Sequence, residues 1–197
     1  MANPPNPARR SERARVAVLD AALSLSQEVG FPQVTIEAIA ERAGVSKKTI
    51  YRWWPSKGTV VFEAAVDAAE TLIAHGDTGD LAHDMREQLA GVAAMFKPQE
   101  TSVIAALIGE ASRDPVLAGA IREEIDARIE AFNERMRSAQ RAGEIPADAD
   151  LEVALDLFYG PIYHRLAFHL PMPDDDEIST RVDHVLVALR RIGDPWR

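Results

Sequence analysis

The chain has 197 residues, 47% hydrophobic and 27% charged, with no cysteine. That balance suits one or two globular domains with a well-buried core, and it excludes a disulfide framework, a thiolate metal site and a cysteine nucleophile. The formal net charge of −9 argues against nucleic acid as a partner of the whole surface. The distribution tells otherwise: residues 1–57 hold nine Lys or Arg against five Asp or Glu, and residues 58–197 hold thirteen against twenty-six. A basic first third on an acidic remainder fits a protein that meets DNA with one end only.

The opening MANPPNPARR lacks the apolar stretch of a signal peptide. Residues 1–8, with Pro4, Pro5 and Pro7, are expected to be a disordered arm. Arg9, Arg10, Arg13 and Arg15 open a first helix to about Val29, with Val18, Leu19, Ala22, Leu25 and Val29 as its buried stripe. Those arginines are either a DNA-touching arm or a solvated helix start. Gly30 ends the helix, and Phe31-Pro32 leads to the next.

Residues 35–57, TIEAIAERAGVSKKTIYRWWPSK, read as two short helices, a tight turn between them, and the start of a third. Thr35 caps the first, and Ile36, Ile39, Ala40 and Ala43 give it an apolar face. Gly44 closes it in the left-handed conformation, Val45 anchors the turn, and Ser46 caps the second. Ile50 and Trp53 point inward, leaving Lys47, Lys48, Thr49, Tyr51 and Arg52 outward. Cations and hydroxyls there suit phosphate oxygens and guanine edges, and Lys57 sits at a helix start that attracts phosphate. This is the layout of a helix-turn-helix, whose second helix enters the major groove.

The stretch TIEAIAERAGVSKKTIYRWWPSKGTVVFEAA resembles the DNA-binding domain of the tetracycline-repressor (TetR) family of bacterial regulators, over roughly the first third of the chain. The resemblance implies an all-helical homodimer with operator-binding heads and a larger part that binds a small-molecule effector. By position, Thr35, Ser46, Lys47, Lys48, Thr49, Tyr51, Trp53 and Lys57 match family DNA-contacting sites. Many members carry His or Phe where this chain has Trp53 and Trp54, which leaves open which indole reaches a phosphate; Trp54 is assigned to packing.

Beyond Ser56 a helix through Val60, Val61, Ala64, Ala68 and Leu72 is expected to about His75, linking the head to the remainder. Further helices follow at about Leu81–Phe96, residues 101–112, and Asp114 to about Ala142. The last has a solvated side bearing Glu123, Glu124, Glu130, Arg135 and Arg137. Asp148 or Asp150 caps a helix to about His169, and a final helix presents Ile178, Val182, Val185, Leu186, Leu189 and Ile192. The helix near Leu151–His169 is apolar on several faces, so it must be covered on several faces. Leu155, Ile162, Leu166, Val182, Val185, Leu186 and Leu189 are the expected two-fold interface. LFYGPIYHRLAFHL is similar to the dimerising part of many TetR-like regulators.

Pro161 inside that helix removes a backbone donor and should kink it. On the family resemblance a ligand cavity is expected, with Met95, Phe96, Leu107, Phe132, Phe158, Tyr159 and Tyr163 as lining candidates for a largely apolar effector. Histidines 75, 83, 164, 169 and 184 make no metal signature, and no glycine-rich phosphate loop or GxSxG elbow supports an enzyme. No cofactor or metal is expected, nor any membrane span, so the protein is expected in the cytoplasm.

The fold expected is all-α with about nine helices: a helix-turn-helix domain at residues 9–57 and a ligand-binding and dimerisation domain at 58–197. The function expected is a sequence-specific homodimeric repressor released by an effector from near-palindromic, double-stranded operator DNA. Its rivals are an architectural DNA-binding protein without effector, and a small-molecule binder whose helix-turn-helix is vestigial.

Overall fold

The computed structural model describes residues 7–69, 73, 76–97 and 102–191, and side chains from Ser11 to Arg190 within these. Among the described residues the chain is all-helical: nine α-helices and one 3₁₀ turn, with no strand. None of these helices is long and apolar enough to cross a membrane. Residue contacts divide the chain into two units, residues 1–68 with 103–122, and residues 69–102 with 123–197.

In the first unit, α1 (Pro7–Val29) starts on a proline, which costs nothing where the N–H would be unpaired. Residues 1–6 of the expected arm lie outside the described residues, whereas Pro7 and Ala8 are helical. Val18, Leu19, Ala22 and Leu25 are buried as expected, but Val29 is 51% exposed. It is the last helical residue, and the chain turns away through Gly30 at φ 81°. The 3₁₀ turn Phe31–Gln33 then leads to α2 (Ile36–Ala43), α3 (Lys47–Tyr51) and α4 (Lys57–Ala69). The expected extension of α4 to His75 falls largely outside the described residues. α6 (Val103–Ala111) and the opening turns of α7 (Pro115–Ala142) belong to the same unit, and Leu107 and Leu117 sit in its core. Ser56 Oγ donates to Asp114 Oδ2 at 2.6 Å, fixing the start of α4 against the turn before α7.

The second unit holds α5 (Leu81–Met95), α8 (Leu151–Ala167), α9 (Asp175–Arg191) and the rest of α7. Carboxylates cap the starts of α5, α8 and α9. Asp80 accepts from His83 N, and Asp150 accepts from Glu152 N and Val153 N. Asp174 and Glu177 cap reciprocally, each side chain accepting from the other's backbone N–H. Between α5, α8 and α9 lie Met85, Leu89, Phe158, Ile162, Val182 and Leu189, all buried. Helix α8 continues through Pro161 to Ala167. Arg135 departs from the expected solvated face of α7 and is buried. Its Nε donates to Asp84 at 2.6 Å and its terminal nitrogens to Glu144 at 3.3 and 3.2 Å, so its charge is neutralised inside.

Candidate DNA-binding face and effector cavity

The helix-turn-helix is fixed by local chemistry. Thr35 Oγ1 accepts from Ala38 N at 3.1 Å, and Ser46 Oγ accepts from Thr49 N at 3.2 Å. Gly44 takes φ 65°, ψ 32°, a left-handed conformation that a β-carbon would strain, and its N–H returns to Ala40 and Glu41. Ile36, Ile39, Ala40, Ile50 and Trp54 are buried against α1. That leaves Lys47, Lys48, Tyr51 and Arg52 exposed on α3 and at its end, while Thr49 is half-buried with its hydroxyl 2.9 Å from Ser46 Oγ.

Four side chains have prior engagements. Lys47 Nζ donates to Glu37 Oε1 at 2.8 Å on the surface. The Arg52 guanidinium lies 4.8 Å from the centre of the Trp53 ring, which itself meets Trp54 edge-on at 5.3 Å. Trp54, 3% exposed, donates its indole N–H to Glu63 at 2.6 Å, the packing role assigned to it; Trp53 is half-buried and takes the inward role only in part. Lys57 departs most from expectation. Its ammonium donates to the carbonyls of Phe31, Pro32 and Val34 at 3.2, 3.1 and 3.0 Å and lies over the Phe31 ring. Those contacts consume its three donors within the protein. Of the N-terminal arginines, Arg15 is held by Glu63 and Asp67 of α4, while Arg13 is exposed and the side chains of Arg9 and Arg10 lie outside the described residues.

Within the second unit a cavity of about 290 Å³ lies among Ile73, α5, α7 and α8. Its wall is mostly apolar: Ile73, Val92, Met95, Ile125, Ile129 and Leu155, with Gln88, Arg128, Asp156, Gly160 and two tyrosines supplying the rest. Of the expected lining, Met95, Tyr159 and Tyr163 are there. Phe96, Phe132 and Phe158 stand behind it as buried supports, with Phe132 edge-on to Tyr159 at 5.7 Å and Phe96 edge-on to Tyr163 at 6.0 Å. Leu107 belongs to the core of the first unit instead. Burial raises the phenol of Tyr159 above the ordinary range, to which nearby Tyr163 adds, while the positive charge of Arg128 works the other way; the Tyr163 phenol is raised by the same desolvation. Both stay protonated donors at neutral pH.

Comparison with known proteins places this geometry. Residues 18–64 match the model of bacterial regulatory proteins of the tetR family, and residues 75–185 match the tetracyclin repressor-like C-terminal domain. The chain belongs to the TetR family. It is 37% identical over 159 residues to the HTH-type transcriptional regulator YdeS of Bacillus subtilis, covering 80% of each chain. It is 29% identical to a DNA-binding transcriptional repressor TetR of Mycobacteroides abscessus, covering 93% of this chain and 97% of that one. Among solved structures, the TetR-family regulator SCO0332 shares 35% identity and a TM-score of 0.76, covering 88% of this chain and 97% of that one.

In this TetR-family regulator the expected interface residues serve the inside of the protomer. Ile162, Leu166, Val182, Val185, Leu186 and Leu189 are buried within the single chain, and Leu155 lines the cavity. The heptad-like stripe they form is the protomer's own core, since α8 and α9 pack against each other and against α5. The exposed large side chains of this region include Val153, Leu157, Tyr163 and Phe168 at α8, Leu170 beyond it and Val187 on α9, with Phe168 67% exposed. The second apolar face of α8 was readable in the sequence; which face would turn inward was not. Gln88, Arg128 and Asp156 as cavity residues carried no motif, because polar residues at helical spacing read as solvent-facing, and Leu155 read as interface.

Proposed function

We propose that this TetR-family regulator is a sequence-specific repressor that binds a near-palindromic operator as a homodimer and releases it when a small molecule occupies the cavity of the second unit. The observation that carries the DNA-binding reading is the outward face of α3. Lys47, Lys48, Tyr51 and Arg52 stand exposed together while Ile50 and Trp54 are buried behind them. Cations and hydroxyls on a short helix held rigidly by caps are the means of reading base edges and seating phosphates. Thr35, Ser46, Thr49 and Trp53 flank that face, where they would add phosphate contacts. Dimerisation is supported by the family membership and by the exposed apolar residues Val153, Leu157 and Phe168 at α8 and Val187 on α9. The mostly apolar cavity supports an effector whose differential affinity for two forms of the dimer would supply about 1–3 kcal/mol of coupling.

The test is selection of genomic fragments by purified protein at two salt concentrations. Enrichment of one inverted repeat that survives the higher salt is the expected result. Motif-free enrichment that disappears as salt rises would overturn sequence-specific binding in favour of an architectural role.

A further inference from the structure

We infer that the cavity takes a small apolar carboxylic acid, its carboxylate held by Arg128 together with the hydroxyls of Tyr159 and Tyr163. This rests on the effector reading above and names the chemistry of that effector. Among the twelve residues lining the cavity, Arg128 is the only cation and Asp156 the only carboxylate. Arg128 Nε pairs with Glu124 at 2.6 Å along α7, and a guanidinium has five donors in a fixed fork, so a second carboxylate can be taken by the same group. Arg128 of α7 and the two tyrosines, one turn apart on α8, line the same cavity, and the positive charge of Arg128 works on both phenols against the burial that raises them.

The tyrosine rings are held in place from behind. Phe132 meets Tyr159 and Phe96 meets Tyr163 edge-on, which limits how far either ring can turn; Tyr163 itself is 42% exposed. The same cavity presents the apolar side chains of Val92 and Met95 of α5 and of Ile125 and Ile129, which flank Arg128 on α7. A ligand matching both parts has one acidic end and a hydrophobic body, and about 290 Å³ lies at the small end of ligand cavities. A cationic ligand fits less well. It would find one carboxylate, Asp156, which is exposed and stands one turn of α8 before Tyr159, and it would face Arg128.

Titration calorimetry on the full-length protein tests this with two matched sets, 2-naphthoate against 2-naphthamide and 2-naphthylmethylamine, and octanoate against octanamide and octylamine. The expected result is that at least one acid binds roughly tenfold or more tightly than its amide, as a charge-assisted fork contact implies. Arg128→Gln should abolish that preference and Tyr163→Phe should weaken it, with the amide affinity unchanged and thermal unfolding showing both variants folded. Equal binding of acid and amide, tightest binding of the amine, no binding of either acid, or a preference that survives in Arg128→Gln would each overturn the assignment. Adding the same compounds to the protein–operator complex separates the two readings. Acid preference without release would leave the ligand class standing and sink effector release; release by amide or amine alone would do the reverse.

Discussion

Lys47 faces outward on α3 with its ammonium already on Glu37, and the hydrogen bond between them raises the lysine and lowers the carboxylate relative to their ordinary values. To meet a phosphate, Lys47 must give up that partner. Glu37→Gln should therefore tighten operator binding by roughly two- to fivefold, the range expected for losing one exposed ion pair, with the salt slope unchanged. Fluorescence anisotropy across a salt series checks it, and weaker binding would show that Glu37 instead holds Lys47 in its reading position. Lys57 gives the contrasting case. Its ammonium closes the carbonyl ends of the Phe31–Gln33 turn, so Lys57→Met should lower thermal stability, by about 1–3 kcal/mol for lost charged hydrogen bonds, and leave the salt slope of DNA binding as it was. A slope shallower by about 0.9 would assign Lys57 to a phosphate after all. The caps Thr35, Gly44 and Ser46 were legible in the sequence because each acts on backbone within four residues. Lys57 was not, because its partners lie more than twenty residues away and backbone carbonyls leave no mark on the sequence.

At the scale of elements, the boundaries of α5, α7 and α8 follow from Asp80, Pro115 and Asp150, signals a sequence displays openly. Which face of each helix turns inward is less legible. Arg135 sits on α7 where the pattern reads as solvent-facing, yet it is buried against Asp84 of α5 and Glu144 beyond the end of α7, while Glu144 also accepts from Leu81 N at 2.6 Å. The network ties the start of α5 to the end of α7. Burial alone would raise the Asp84 carboxyl, but hydrogen bonds from Thr78 and Arg135 outweigh it and hold the group below its ordinary value. A carboxylate depressed in the folded state adds stability above its unfolded pKa and loses it as pH falls through the folded one. Stability should accordingly decline on acidification below about pH 4, the ordinary carboxylate range. Asp84→Asn should cost about 1–3 kcal/mol at neutral pH by removing Arg135's closest carboxylate while Glu144 remains, and should flatten that acid limb. Denaturant unfolding from pH 7 to 3 measures both; an unchanged acid limb would place the sensitivity elsewhere.

At the scale of the whole molecule, sequence periodicity alone could not assign the apolar stripes of α8 and α9, because a protomer's core and a dimer interface use the same residue types at the same spacing. Val182, Val185, Leu186 and Leu189 are buried within one chain, so charge reversal at Val185 or Leu189 would strike the fold itself and yield unfolded protein rather than monomers. Leu157, 38% exposed, and Val187 lie on the surface, as do Val153 and Phe168, and on the proposed homodimer these are the residues a second copy would cover. Leu157→Glu and Val187→Glu should therefore leave the thermal unfolding of the single chain nearly unchanged while shifting the molar mass measured by light scattering from dimer to monomer. On the proposed two-headed binding one head would make only half of the phosphate contacts, so the monomer should bind with a salt slope roughly half that of the parent. A variant that stays dimeric with full operator affinity would move the interface off α8 and α9.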